Sequence, residues 1–396
     1  MKQKILFMLI NMNIGGTEKA LLNMIAEIPR DKYEVTILML EKYGGFLNEI
    51  PSWVTVKYLD NYSEIKAILN NPPQYTVKEF IKKGNILRGL NIGLAYYSSK
   101  LLKDKGIFFK YVLKNYSKIN SEYDLAVAYA GPMDFISYYV LNKIKSNKKA
   151  QWIHFDIEKI GFDKEFAKKN YSKFDKIFIV SEKGKDKLIN VIPAIKDKVE
   201  VFYNIVSRKL VREMGNEEIG YRDEFGGTRI LTVGRLSKEK GQDLFISAIG
   251  RLKSEGYNIR GYCIGDGPGR KEYEKLINDK GLKSDCILLG SKPNPYPFMK
   301  TCDIYMQPSR HEGYCITLAE ARCFSSPIVT TNFTGANEQI INKKTGIVVN
   351  VSDEEIYLGV KEILDNNNLK ENIKDNLQNE IIEESREIDK LCSLVK

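Results

Sequence analysis

LTVGRLSKEKGQDLFISAI, residues 231–249, passes from a short apolar run through a loop bounded by Gly234 and Gly241 into a helical pattern. Strand, loop and helix in that order make half of a βα unit, whose strands pair in parallel because the helix carries the chain back across the sheet. The same alternation runs through the whole sequence. Strand patterns fall at 4–10, 34–40, 54–59, 125–130, 151–155, 176–181 and 199–203, and again at 229–233, 261–264, 287–289, 304–307, 328–331 and 347–350. Most are unbroken apolar runs, as expected for parallel strands covered on both faces. Helical patterns such as 17–28 and 242–255 separate them. The reading is α/β, with two doubly wound, Rossmann-like domains facing each other across a cleft. A polar, poorly periodic stretch at 207–227 sets the boundary, which gives domains at 1–206 and 207–379.

The 396 residues suffice for two domains with separate cores. No run of eighteen apolar residues occurs, so no spanning helix is expected. The apolar run at 5–10 leads into a polar loop and reads as a buried strand, not a signal peptide. Six cysteines, all in the second half and none in a C-x-x-C pair, read as reduced thiols of a cytosolic protein and not as a zinc site.

Charge is uneven. Residues 61–120 hold eleven Lys and Arg against three carboxylates, so they carry +8 of the chain's formal +10, interleaved with tyrosines and phenylalanines. That mixture suits an anionic membrane surface, with Lys82, Lys83, Arg88 and Lys103 as candidate contacts. It equally suits a solvated helical face whose aromatics point into a core. No motif for nucleic acid accompanies the charge.

A second stretch, RHEGYCITLAEA at 310–321, sets Glu312 at a strand-to-helix corner and Glu320 about two turns into a helix expected over 316–324. Eight helical residues span about 12 Å, too far for the carboxyl pair of a glycosidase. The two glutamates instead suit different hydroxyl groups of one elongated ligand, with a helix N-terminus between them for anionic oxygens. Arg235 and Lys240 offer a fork and a point charge for a diphosphate. The loop NIGGTEKALL, 13–22, follows the first strand, and Gly15 and Gly16 allow close backbone approach to a ligand. The turn IGDGPG reads mainly as structural. The only two histidines, His154 at a strand end and His311 beside Glu312, both fall next to these motifs.

Taken in order, Gly15-Gly16-Thr17-Glu18, His154, Arg235 with Lys240, Gly265-Asp266-Gly267-Pro268, and Glu312 with Glu320 resemble the retaining GT-B glycosyltransferases of family GT4. The resemblance implies a nucleotide-sugar donor, held mainly by the C-terminal domain, with no metal and no further cofactor. It implies a last helix, about 380–396, that packs back on the N-terminal domain. Arg235 and Lys240 would bind the donor diphosphate, Glu312 the sugar hydroxyls and Glu320 the ribose. Gly16 would approach the diphosphate and the reacting sugar through its backbone, Gly15 would belong to the same donor site, and His154 would line the sugar site near the acceptor. Gly234, Gly290, Gly313, Tyr314, Cys315 and Ile316 would complete the donor site. The family usually has Glu-Gly-Phe-Gly, and this chain has Glu312, Gly313, Tyr314 and Cys315 there. The looser match before Glu338 leaves that residue out of the expected site.

The function expected is transfer of a hexose or N-acetylhexosamine from a UDP-sugar to a cell-envelope or surface-polysaccharide acceptor. That acceptor is expected to be lipid-linked, at the inner face of the cytoplasmic membrane. A protein O-glycosyltransferase, a non-hydrolysing sugar epimerase or a sugar phosphorylase of the same fold is the alternative.

Overall fold

A computed structural model describes residues 2–116, 119–159, 161–218, 220–380 and 385–395. The chain forms two units: Met1–Val180 with Gly184–Tyr203 and Ser385–Lys396, and Ser181–Lys183 with Asn204–Glu384.

The first unit is built on β1 (Gln3–Leu9), β2 (Tyr33–Met39), β3 (Thr55–Tyr58), β4 (Ile119–Ala128), β5 (Ile144–Ile153), β6 (Lys176–Ile179) and β7 (Val199–Val201). They pair in parallel in the order β3-β2-β1-β4-β5-β6-β7. The five residues Ile5 to Leu9 are all fully buried, because helices cover both faces of the central strand. The order reverses between β1 and β4; the loop leaving β1 carries Gly15 with Gly16, and in the loop leaving β4 the Gly131 carbonyl accepts the backbone N–H of His154, which itself follows β5, at 3.2 Å.

The second unit repeats the plan with β8 (Thr228–Val233), β9 (Ile259–Ile264), β10 (Cys286–Gly290), β11 (Ile304–Gln307), β12 (Ile328–Thr331) and β13 (Ile347–Val349). Their order is β10-β9-β8-β11-β12-β13, again all parallel. Here the reversal lies between β8 and β11. The loop after β8 holds Arg235 and Lys240, and the loop after β11 holds Glu312.

Some elements differ from the sequence reading. Strands β4 and β5 begin six or seven residues before their apolar runs, pairing through polar residues such as Glu122 with Lys145. Strand β1 pairs only with the stretch from Leu125 to Ala128, so the earlier part of β4 lies beyond it and needs no apolar face. The stretch 207–227, expected as a linker, contains the helix Arg208–Met214, capped by the Ser207 hydroxyl. Seven residues are too few to show a helical period. Its Arg212 Nε donates to the Cys323 carbonyl at 2.8 Å, and Arg208 donates to the carbonyls of Arg322 and Leu377.

Of the expected crossing helix at about 380–396, residues 381–384 and 396 lie outside the described residues. Helix Ser385–Val395 packs within the first unit. There Glu387 accepts the Tyr203 backbone N–H at 2.9 Å, Lys390 donates to the Val201 carbonyl at 2.8 Å, and Leu391 is fully buried.

The second unit's loops are pinned by close backbone contact. Gly265 has φ +139°, and a Cβ there would sit 2.0 Å from the Gly234 carbonyl oxygen. Gly265→Ala is therefore expected to destabilise the protein by roughly 1–3 kcal/mol. A urea unfolding midpoint equal to wild type would contradict that close approach.

Candidate functional site

In the second unit, β8 ends at Val233 and the chain turns through Gly234 and Arg235 into the 3-10 turn Lys238–Lys240 before helix Gln242–Ser254. Gly241 makes the corner at φ +74°, and its missing Cβ leaves room for the Pro308 carbonyl oxygen, 2.0 Å from where that atom would be. The loop after β11 is therefore drawn against the loop after β8. The Glu239 carbonyl accepts the Arg310 backbone N–H at 2.8 Å. The Arg310 side chain forks onto Asp243 at 2.7 and 2.6 Å and also donates to the Lys238 carbonyl at 2.8 Å.

This clasp brings Lys240 to Glu312, whose Oε1 accepts from Lys240 Nζ at 2.5 Å and from Ser309 Oγ at 2.9 Å. Burial alone would lower the Lys240 pKa, but the Glu312 carboxylate outweighs it and the ammonium is held above its ordinary value. Arg235, on the same loop as Lys240, is mostly exposed and donates through Nη2 to Glu239 at 2.6 Å. Behind Ser309 runs a buried polar chain. Gln307 Nε2 donates to the serine at 2.8 Å, and Gln307 Oε1 accepts from Tyr305 at 2.8 Å and from Thr317 at 3.1 Å. Such a chain fixes the hydroxyl that orients Glu312.

Gly313, Tyr314 and Cys315 lead from Glu312 into helix Ile316–Ala321. Cys315 has φ +68°, unusual for a residue with a side chain, and its thiol lies 3.3 Å from Thr317 Oγ1. Burial first, and then Glu312, push that thiol up to about 12, so it stays protonated at neutral pH. The helix expected over 316–324 ends at Ala321, and its last turn tightens into bonds from the Cys323 and Phe324 N–H groups to carbonyls three residues back. Glu320, 4% exposed, accepts the Tyr296 hydroxyl at 2.8 Å. Gly290, at φ +73°, ends β10, and its carbonyl accepts the Gly265 N–H at 2.9 Å. Gly234, Arg235, Lys240, Glu312, Gly313, Tyr314, Cys315, Ile316 and Glu320 thus all fall on the β8 and β11 loops or the short helix that follows.

The first unit holds the remaining candidates. Gly15 caps helix Gly16–Glu27 with an extended backbone, and the preceding loop is tied down where Met12 donates to the Tyr43 carbonyl at 3.0 Å and accepts from Phe46 at 2.9 Å. His154 follows β5. Its ring lies 4.5 Å from Tyr129 and stacks near Trp152, and its Nε2 is buried with no hydrogen-bond partner among the described residues. Burial pushes its pKa down to about 3, against a hydrogen bond to the Tyr129 backbone that opposes the fall. The imidazole is neutral at pH 7. Lys82, Lys83, Arg88 and Lys103 belong to the helical segment between β3 and β4, on or next to helices Pro73–Lys82 and Ile86–Leu101. Arg88 lies 3.3 Å from Glu64 and over the Phe80 ring, and Lys82 lies 3.8 Å from Glu79.

Sequence reasoning missed the supporting residues. Ser309, Gln307, Asp243 and Arg310 gave no signal, because their roles depend on the β8 and β11 loops meeting. Gln242, 1% exposed, donates to the Arg235 carbonyl at 3.1 Å and reads in sequence as an ordinary first helical residue. Glu338, left aside earlier, accepts the backbone N–H groups of Glu182 and Lys183 at 2.9 and 3.1 Å.

The state of His154 is testable through stability. Below pH 6.5 the unfolded chain takes up a proton that the folded imidazole refuses until about pH 3, so this group makes folding less favourable as pH falls through that window. His154→Gln is expected to flatten the decline, by at most about 1.4 kcal/mol per pH unit. Superimposable stability profiles for wild type and variant between about pH 6.5 and 4.5 would show that the ring is not desolvated.

Residues 225–380 match the model of a family described as glycosyl transferases group 1. An N-acetylgalactosamine-N,N'-diacetylbacillosaminyl-diphospho-undecaprenol 4-alpha-N-acetylgalactosaminyltransferase from Campylobacter jejuni is 30% identical over 206 residues, 52% of this chain and 54% of that relative. The capsular polysaccharide biosynthesis glycosyltransferase CapM of Staphylococcus aureus is 29% identical over 154 residues, 36% of this chain and 38% of its own. The chain thus spans about half, or less, of the length of these curated relatives. Among solved structures, Anabaena HepE in complex with UDP superposes with a TM-score of 0.69 at 16% identity, covering 99% of this chain and 100% of that one. S. aureus TarM gives 0.69 at 12% identity, covering 99% of each. The fold is α/β, of the GT-B kind shared with HepE and TarM, and residues 225–380 are similar to the glycosyl transferases of group 1.

Proposed function

We propose that the protein is a retaining, metal-independent glycosyltransferase. It moves a hexose or N-acetylhexosamine from a UDP-sugar to a lipid-linked cell-envelope or polysaccharide acceptor at the inner face of the cytoplasmic membrane. The observation that carries this reading is the Lys240–Glu312 pair beside the exposed Arg235 fork. HepE, of like fold, was solved with UDP, and the Campylobacter relative is named for a diphospho-undecaprenol acceptor, which supports donor and acceptor classes.

Each cation is paired with a carboxylate: Lys240 with Glu312 and Arg235 with Glu239. A donor diphosphate would take the two cations in exchange, with charge-assisted hydrogen bonds. Glu312, released from the ammonium, would then accept hydroxyls of the donor sugar, and Glu320 those of the ribose. As the glycosidic bond breaks, negative charge grows on the departing diphosphate, where Arg235 and Lys240 stabilise it most. His154, neutral and with a bare Nε2, is suited to hydrogen-bond a sugar hydroxyl and not to take up a proton at pH 7. Acceptor deprotonation would fall to the leaving phosphate itself.

Arg235→Ala and Lys240→Ala are each expected to lower kcat/KM by about 100- to 1,000-fold in a nucleotide-sugar transfer assay. A chelator such as EDTA should leave wild-type turnover unchanged. Near-normal turnover in either variant would overturn the proposed charge stabilisation, and loss of activity in EDTA would overturn metal independence.

A further inference from the structure

Helix Ile86–Leu101 has two faces. Its inner face is Gly89, Ile92 and Ser99, all buried, with Gly89 close against Val77 and Phe80 of helix Pro73–Lys82. Its outer face is Leu87, Leu90, Leu94, Tyr97 and Leu101, exposed by 77, 52, 65, 59 and 84%. Five large apolar side chains spaced three and four apart form one continuous stripe along the helix. Ile86 and Leu102, also exposed, extend it at both ends. Single exposed leucines are ordinary, but a contiguous apolar stripe marks a surface that something covers.

We propose that this stripe is a membrane-docking face that lies in the headgroup region of an anionic bilayer. The proposal deepens the reading above, in which the acceptor is lipid-linked, and rests on it for its purpose. Two occupants fit an apolar helical stripe: a lipid surface, or the same helix of a second copy. The charges favour lipid. Lys83 lies just before the helix, Lys100 in its last turn and Lys103 just after it, all exposed, and among the described residues no carboxylate pairs with them. Two copies brought face to face would confront cation with cation, whereas anionic headgroups match them.

Helix pairing also needs complementary charges beside the seam, and the flanking positions here are Asn91, Gly93 and Ser98, with Lys100. The stripe spans little more than two heptads, short of the three or four that sustain a coiled coil. No helix among the described residues is long and apolar enough to cross a membrane, so this helix would lie along the surface. The apolar residues, not only the cations, are then the anchor. Arg88, held by Glu64 and the Phe80 ring, contributes less than its charge suggests.

The test is flotation of the full chain with phosphatidylglycerol–phosphatidylcholine vesicles and with phosphatidylcholine alone. Wild type is expected to float with the anionic vesicles, and less so as salt rises. Combined Leu87→Ser, Leu94→Ser and Leu101→Ser should weaken partitioning about tenfold or more. Because these side chains are exposed, the thermal midpoint should hold, which separates lost docking from lost folding. Lys83→Glu with Lys100→Glu should remove the preference for anionic lipid.

No flotation of wild type, or undiminished flotation of the leucine variant, overturns the proposal. So does a wild-type dimer in sedimentation that the leucine variant dissolves, since the stripe would then belong to a second copy. UDP-sugar binding, followed by calorimetry, reports on the transferase reading separately: vesicle binding without donor binding refutes that reading alone, and the reverse refutes this one alone.

Discussion

The second unit turns on one backbone contact, the Pro308 carbonyl seated against Gly241 where any side chain would collide. Parallel strands β8 and β11 are neighbours, so their trailing loops leave the sheet side by side. Adjacency alone would let the loops splay. The glycine corner, the Glu239 carbonyl taking the Arg310 N–H, and the Arg310 fork on Asp243 close them instead. Only then do Lys240 and Glu312, far apart in sequence, share a hydrogen bond. The cation's raised pKa follows from that pairing and not from lysine itself.

Much of this was legible in the residues. Unbroken apolar runs are strong signals for strands buried on both faces, and each of the thirteen described strands overlaps a strand pattern read from the sequence, most of them runs of this kind. Where a strand continues past its neighbour, as β4 and β5 do, its polar start carried no such signal. Short helices such as Arg208–Met214 and the early end of Ile316–Ala321 were likewise invisible, since each is shorter than two turns. The two histidines stand out by their rarity, and the glutamate pair by its spacing across a strand-to-helix corner. The serine, glutamine and aspartate that hold them did not, because a hydrogen-bond partner is defined by tertiary proximity.

The basic segment shows the same limit from the other side. Its charge count suggested a membrane, but counting cannot tell a committed cation from a free one. Arg88 and Lys82 have carboxylates close by, and Tyr96 and Phe108 pack edge to face. Beside the remaining lysines, the segment also turns outward Leu87, Leu90, Leu94, Leu101 and Leu102, residues that the sequence reading assigned to no surface at all.

The mutual neutralisation of Lys240 and Glu312 bears on which molecules the site would admit. An isolated inorganic anion would take the ammonium and leave a largely buried carboxylate with the Ser309 hydroxyl but no cation, and a free sugar would take the carboxylate and leave the ammonium without its anion. A compound that carries both groups on one frame replaces both partners at once. Under the proposed chemistry, severing that frame returns each half to the weaker class, so turnover itself would loosen the grip on what is left behind.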